Sequence, residues 1–419
     1  VRPRSIFLAS LAFTALAVTA IAVAHAATVR PNAIDYRIDA IPVRVLLSRP
    51  ATQLVDPERQ VAALRLSRWM FPGWLISILA QIAALFYFWQ SGAAARLRDL
   101  VRRWTRSEWT VRLLCGAALA LVARLASVVP EFYIYRVQRS MSLSGQLFHV
   151  WSMDWLLNTA IAMVASGVAV AIALWLVDRT HFWYLYLAGL IVVLSLGIAM
   201  LDPIFAKPPF DRITAPPAWA ATTIASVEAA AKRDVPVVME VRSRSHLGSA
   251  RVEGLSFQRR IVLSDTIFAV SSPSELRYIV AYELGLVTID SPLRDATLDA
   301  LFVILGISIG VAIADRIGFR RDDDPISRLA LVAAILGVMY LIVLPIDNTV
   351  HRNESASATR YALALTGERA AAVRTTIRAA DQSLGEACPN ILTRLFFLAS
   401  LDPSTRVSIA NGVPNACPP

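Results

Sequence analysis

Residues Tyr282–Asp290 read YELGLVTID and follow Ser272–Ala281, SPSELRYIVA. Ser272-Pro273-Ser274-Glu275 has the form of a capping box with proline at the first helical position, so a helix is expected to start there and run through the nonapeptide. Tyr282 and Leu286 then stand one turn apart on one face, with Glu283 beside the first of them. What this helix does depends on the chain around it.

That chain is 419 residues long and 56% hydrophobic, with a mean hydropathy of +0.54. Apolar runs of about 18 residues or more argue for membrane spans. Seven are expected, near 6–26, 72–90, 111–129, 156–177, 183–201, 297–314 and 329–346. Any one could be a buried core helix, but seven together point to a polytopic membrane protein. The net charge of +10 comes from 41 Lys and Arg against 31 Asp and Glu. Much of the excess borders apolar spans, where positive charge sets topology. No motif that reads RNA or DNA is present, so nucleic acid is excluded as a partner and membrane lipid is expected. Arg2 and Arg4 before an apolar run, with Ala24-His25-Ala26 after it, also suit a cleaved signal segment; a retained first helix is the favoured reading of 1–26.

The polar segments divide the remainder. A membrane domain is expected over 27–201, with a first loop at 27–70 and an Arg-rich loop at 91–108. A soluble insertion occupies 202–296, the last two spans lie in 297–346, and a tail fills 347–419. Within the insertion, Trp219–Lys232 suggest a helix. Val235–Val241 and Arg260–Ser264, rich in Val and Ile, suggest strands. Asn348–Leu365 read as another helix. Cys115 lies in a span; Cys388 and Cys417 lie in the tail and would pair if the tail is exported.

Two His at i and i+4 on a helix, with Glu after the first, form the H-E-x-x-H frame that binds zinc. Tyr282-Glu283-Leu284-Gly285-Leu286 keeps that frame with both histidines replaced. The order of parts resembles the integral-membrane zinc metallopeptidases of the CAAX prenyl endopeptidase kind. Asp202-Pro203-Ile204-Phe205 looks like that family's exit from the fifth span. Ser249–Gly254 looks like its edge strand, and Arg260–Thr266, RIVLSDT, like its following strand. Asn348-Thr349-Val350-His351-Arg352 is similar to its N-x-x-S-R motif. Pro403–Arg406 resembles its tail motif from H-P to Arg, with Asp402 where the family has His. The resemblance implies a mainly α membrane protein of seven spans. It also implies a small α+β protease-like domain assembled from the insertion and the tail, with Asn348 and Arg352 lying against the Tyr282–Leu286 helix.

A catalytic zinc takes three protein ligands and a water. By the resemblance, the ligand positions are Tyr282, Leu286 and Ser355, the position of the family's next Asp is Thr359, and Glu283 is the general base. A phenol titrates near pH ~10 and is a poor zinc ligand, and Leu286 cannot ligate. With all three positions lost, no metal is expected, Glu283 has no water to activate, and a pseudoprotease results. Such a protein would bind a peptide, a lipidated tail or a membrane-protein partner, with the RIVLSDT strand holding an extended peptide through its main chain. The alternative is an active metalloendopeptidase with a rearranged zinc site. The chain has five His; His351 with Glu354, or with Glu283, would be the natural components. A transporter, with Arg112 and Arg124 as intramembrane charges, is a third reading. The expected location is a bacterial inner membrane. The Arg-rich loop 91–108 placed inside puts the insertion and tail outside, whereas the resemblance puts them in the cytosol.

Overall fold

The computed structural model describes residues 37–205, 212–241, 247–254, 259–318 and 324–417. The expected first span and His25 and His246 lie outside these residues. Three short helices, α1 (Arg37–Ala40), α2 (Val43–Leu46) and α3 (Ala51–Leu54), open the described chain. Then come α4 (Pro57–Gln90), α5 (Ala93–Trp104), α6 (Glu108–Ser140), α7 (Phe148–Val177) and α8 (Trp183–Phe205). Next are β1 (Arg212–Thr214), α9 (Ala218–Ala231), β2 (Val237–Val241), β3 (Ala250–Glu253), β4 (Arg260–Ser264) and α10 (Asp265–Val270). The chain closes with α11 (Pro273–Thr288), α12 (Ser291–Gly318), α13 (Pro325–Thr366), α14 (Arg369–Ser383), α15 (Ile391–Phe396) and α16 (Pro403–Asn411).

The protein is mainly helical and integral to a membrane. Among the described residues, five helices are long and apolar enough to cross one: α4, α6, α7, the Leu293–Ile317 part of α12, and α13. The expected span at 183–201 falls on α8, whose apolar stretch Trp183–Gly197 is shorter. Close packing between α6 and α7 rests on small residues, as helix association in lipid requires. A Cβ on Gly116 would lie 2.6 Å from the Ser166 carbonyl oxygen, and one on Gly167 would lie 2.8 Å from that of Leu113. The Ser166 hydroxyl donates to the Gly116 carbonyl at 2.8 Å. The two arginines of the transporter reading are held by carboxylates. Arg112 pairs with Asp178 at 2.7 Å and Arg124 with Glu131 at 2.8 Å, which accounts for both as ties between turns and helices.

Two expectations about segments change. The stretch 27–70, read as a loop, contains α1 to α3, and Ile38, Leu46 and Leu54 are buried in the same core as Ile261, Leu284 and Ile377. Short helices broken by Pro42 and Pro50 carry too little periodicity to show this in the sequence. The last span and the helix expected over 348–365 are one continuous helix of 42 residues, with Pro345 inside it. A proline removes one ladder hydrogen bond but need not end a helix where neighbouring groups satisfy the backbone.

The strands form one sheet in the order β1-β2-β4-β3. β2 and β4 run parallel, with Val237 opposite Ile261, while β3 is antiparallel to β4, with Ala250 opposite Leu263. The RIVLSDT strand is therefore interior and cannot hold a peptide along its main chain, contrary to the sequence expectation. Its unbroken apolar run is the reason: Ile261, Val262 and Leu263 are fully buried, as in a strand covered on both faces. The edge strands are β1 and β3, and β3 is the one beside β4.

The capping box expected at Ser272 is present. Ser272 Oγ accepts from Glu275 N at 3.4 Å, and Ser272 N donates to Glu275 Oε2 at 2.7 Å. Glu275 has a second task. Arg378 on α14 donates from Nη1 to its Oε2 at 3.1 Å and from Nη2 to its Oε1 at 3.0 Å, and Arg378 also reaches Asp39 on α1. Glu275 is 1% exposed and Arg378 5% exposed, so one buried carboxylate fixes the start of α11, α14 and the N-terminal segment together. Glu275→Ala leaves Arg378 buried beside Asp39 alone and is expected to cost about 3–5 kcal/mol. Thermal unfolding in detergent should show this as a clear loss of Tm, with Glu275→Asp retaining part of it.

Candidate functional site

The site lies where α11 crosses α13. Gly285 makes the crossing close: a Cβ there would stand 3.0 Å from the Ala358 Cα and 3.1 Å from its carbonyl oxygen. This approach brings Tyr282 and Ser355 into contact, two of the positions that the sequence resemblance assigns to zinc ligands. The Tyr282 hydroxyl and Ser355 Oγ lie 2.8 Å apart and share a hydrogen bond. Thr359 sits one turn beyond Ser355 and donates to its carbonyl at 2.8 Å.

A third group completes this contact. Arg406, on α16, donates from Nη2 to Ser355 Oγ at 2.9 Å and more weakly to the Tyr282 hydroxyl at 3.5 Å. Its guanidinium also lies over the Tyr282 ring, 4.9 Å from the centroid. α16 is aimed by its cap. Asp402 accepts from Thr405 N at 2.8 Å and from the Thr405 hydroxyl at 2.9 Å. The residue in the position of the family's tail His is therefore the N-cap of the helix that delivers Arg406. Burial works against the charge on Arg406, but Tyr282, Tyr278 and Glu283 together hold its pKa above the ordinary value.

Glu283 is 2% exposed, and its Oε2 has no hydrogen-bond partner. Burial pushes its pKa up to about 8, with Arg406 opposing part of the shift. Glu283, Tyr282, Tyr278 and Arg406 all face one cavity of about 640 Å³, bounded on other sides by Met70 and Phe71 of α4 and by the β3 edge at Ser249 and Ala250. Leu286 is half-buried one turn from Tyr282.

The supporting residues do other work. Asn348 Nδ2 donates to the Leu395 carbonyl at 2.8 Å. Arg352 Nη1 donates to the carbonyls of Arg394 at 2.5 Å and Leu398 at 2.7 Å. Both bind α13 to the α15 segment, whereas the sequence placed them against α11. Exposed carbonyls at the end of a short helix are what such donors satisfy. His351 and Glu354 point elsewhere. His351 Nδ1 is 3.4 Å from Asp295 and 3.9 Å from Glu354, and Nε2 is 3.5 Å from Asp347. One donor atom from each of Asp295, His351 and Glu354 lies within 4.8 Å of the others. None of the three lines the cavity that holds Glu283. The sequence reading named Arg406 only within a tail motif and missed Asp295. The D-P-x-T cap signature preceding Arg406 was the available signal for the first, and nothing local marks the second.

Comparison with known proteins agrees with this arrangement. Residues 71–212 match a family model described as CAAX prenyl protease N-terminal, five membrane helices, and residues 218–402 match the model of peptidase family M48. The chain belongs to the M48 membrane metallopeptidases. Among M48 relatives, it is 24% identical to the uncharacterized metalloprotease YhfN of Bacillus subtilis over 316 residues, 71% of this chain and 73% of that protein. It is 26% identical to CAAX prenyl protease 1 of Saccharomyces cerevisiae over 179 residues, 40% of this chain and 39% of that protein. The crystal structure of S. mikatae Ste24p has the same fold, with a TM-score of 0.72 at 16% identity, covering 96% of this chain and 98% of that one.

The zinc implied by this M48 membership does not fit Tyr282, Leu286 and Ser355, the positions that the sequence resemblance assigns to its ligands. A phenol, an isobutyl group and a serine hydroxyl offer no ligand set for zinc at neutral pH, and the two oxygens are already engaged with each other and with Arg406.

Two predictions follow from the geometry. Gly285→Val should push α11 off α13, cost about 1–3 kcal/mol by overpacking, and separate Tyr282 from Ser355; a lower Tm in detergent is the check. Glu283 is a carboxyl whose folded pKa is raised, so the folded state holds a proton that the unfolded state releases. Stability should therefore fall as pH rises from the ordinary glutamate range towards about 8. Glu283→Gln should remove most of that slope, read as a Tm less dependent on pH between 5 and 8.

Proposed function

We propose that this chain is a non-catalytic member of the M48 membrane peptidases, a pseudoprotease that binds instead of cutting. The observation that carries this reading is the Tyr282–Ser355 hydrogen bond at 2.8 Å, which joins two former ligand positions directly. Glu283 keeps the place of the general base, but no metal-bound water is available for it to deprotonate there. What remains is a membrane bundle of seven spans, counting the segment near 6–26 and α8. Against it stands an α+β unit assembled from 202–296 and 347–419. The cavity between α4, β3 and α11 would take an extended peptide, a lipidated tail or a segment of a membrane partner, with membrane lipid around the bundle. β3 supplies the free main-chain edge that an added strand needs.

A second reading is favoured by one cluster. Asp295, His351 and Glu354 bring one nitrogen and two carboxylate donors within 4.8 Å, a set that zinc accepts. A metal there would sit apart from the cavity that Glu283 faces, so it would bind without joining Glu283 in hydrolysis. Elemental analysis after purification without chelators decides between the readings. The expected result is no stoichiometric zinc. One zinc per chain that disappears in His351→Ala, together with peptide hydrolysis lost in the same variant, would replace the pseudoprotease reading with the rearranged one.

The side of the membrane also enters the proposal. Cys388 and Cys417 form a disulfide, and disulfides persist on the oxidising side of a bacterial inner membrane. With the Arg-rich segment 91–108 inside by the charge rule, both lines support a soluble unit that faces outside. A periplasm-dependent reporter fused after Pro419 is expected to be active; activity confined to a cytoplasm-dependent reporter would reverse the orientation.

A further inference from the structure

The helix α5 (Ala93–Trp104) joins two membrane helices, α4 and α6. It therefore lies at one end of the bundle, where hydrocarbon gives way to headgroups. One side of it is committed to the protein. Ala94 and Val101 are buried in the same core as Leu85, Val111 and Ile326. Arg98 pairs with Asp99 at 2.9 Å and reaches the buried Asp324, the N-cap of α13. Arg102, in the last turn, pairs with Glu108 at 3.1 Å.

The opposite side has no protein against it. Arg96, Leu100, Arg103 and Trp104 follow one another at i, i+4, i+7 and i+8, which sets them on one helix face. All four are exposed, Leu100 by 47% and Trp104 by 84%. Arg96 donates to the Ser91 carbonyl at 3.1 Å, and neither Arg96 nor Arg103 forms an ion pair among the described residues. Leucine and an indole beside two guanidinium groups suit neither bulk water nor hydrocarbon. They suit the interface, where an amphipathic helix lays its apolar side chains into the acyl boundary and its cations among the headgroups.

Charge then selects the lipid. Residues 91–108 hold five Arg against Asp99 and Glu108, an excess of three positive charges. The guanidinium fork matches phosphate oxygens. A phosphatidylcholine phosphate already has the choline cation beside it, whereas a headgroup of net negative charge leaves its phosphate to the protein. Charge complementarity thus favours acidic phospholipids on this face over zwitterionic ones.

We propose that α5 is a docking site for acidic phospholipid headgroups, in which Arg96 and Arg103 take the phosphates while Leu100 and Trp104 enter the acyl boundary beside them.

Trp104 supplies the reporter. The full-length protein is placed in phosphatidylcholine nanodiscs containing a small fraction of either phosphatidylglycerol or phosphatidylcholine with a nitroxide near the headgroup end of one acyl chain. The nitroxide quenches indole fluorescence on contact. Ten Trp are present, so the Trp104 signal is the difference between protein with and without Trp104→Phe. Labelled phosphatidylglycerol is expected to associate with Trp104 about tenfold more strongly than labelled phosphatidylcholine, as two arginines at a lipid surface imply. The preference should weaken as salt is added. The double variant Arg96→Gln/Arg103→Gln should bring it close to parity, and Arg96→Lys/Arg103→Lys should keep much of it. Equal quenching by the two lipids in the unaltered protein overturns the proposal. A preference that survives Arg96→Gln/Arg103→Gln overturns the assignment to these arginines. A preference abolished by inorganic phosphate at constant ionic strength makes the face a site for free phosphate and overturns the lipid assignment. The lipids are compared first on the unaltered protein, so a misfolded variant does not decide the result.

Discussion

The site depends on how closely α11 and α13 approach each other. At Gly285 the two helices meet nearly backbone to backbone, so that a Cβ would stand only 3.0 Å from the Ala358 Cα. That contact sets the separation of Tyr282 and Ser355 within hydrogen-bond range and leaves Thr359 beneath them on a backbone carbonyl. The helix pair is held here by packing and by hydroxyl groups, a permanent contact between small residues that needs no bound ion.

Around this crossing the protein uses buried polar groups as ties. Glu275 closes the α11 cap and anchors Arg378 at once. Arg352 and Asn348 secure the carbonyls of α15, and Asp402 orients α16. Each is buried and each is hydrogen-bonded, which makes such groups affordable in an interior. Buried polar atoms without a hydrogen-bond partner occur at several places among the described residues, and those of Glu283, Arg378, Glu386 and Arg406 border one cavity. That concentration separates the site from the scaffold.

Much of this was legible in the sequence. Long apolar runs marked the membrane helices because lipid leaves few alternatives. The Ser272–Glu275 box placed α11. Other features were not legible. The interior position of β4 depends on which strands flank it, and an apolar run of three residues, Ile261–Leu263, is compatible with either place in a sheet. The burial of α1 to α3 is a tertiary fact with no local period. Arg406 was hidden for a different reason: it reaches its site from a separate helix at the far end of the chain, and no spacing rule links residue 406 to residues 282 and 355. His351 and Glu354 were correctly seen to share a helix face, but their partner Asp295 comes from α12, and the cluster turns away from the cavity.

The Tyr282–Ser355 bond also sets what it would take to load a metal here. A zinc site needs three ligands at once, so a ligand introduced at 282 or at 355 alone yields no such set and breaks the hydrogen bond between these side chains, and one introduced at 286 alone yields none either. The bond acts as a ratchet: no single substitution at these positions moves toward metal binding, while changes in the cavity lining leave the bond in place.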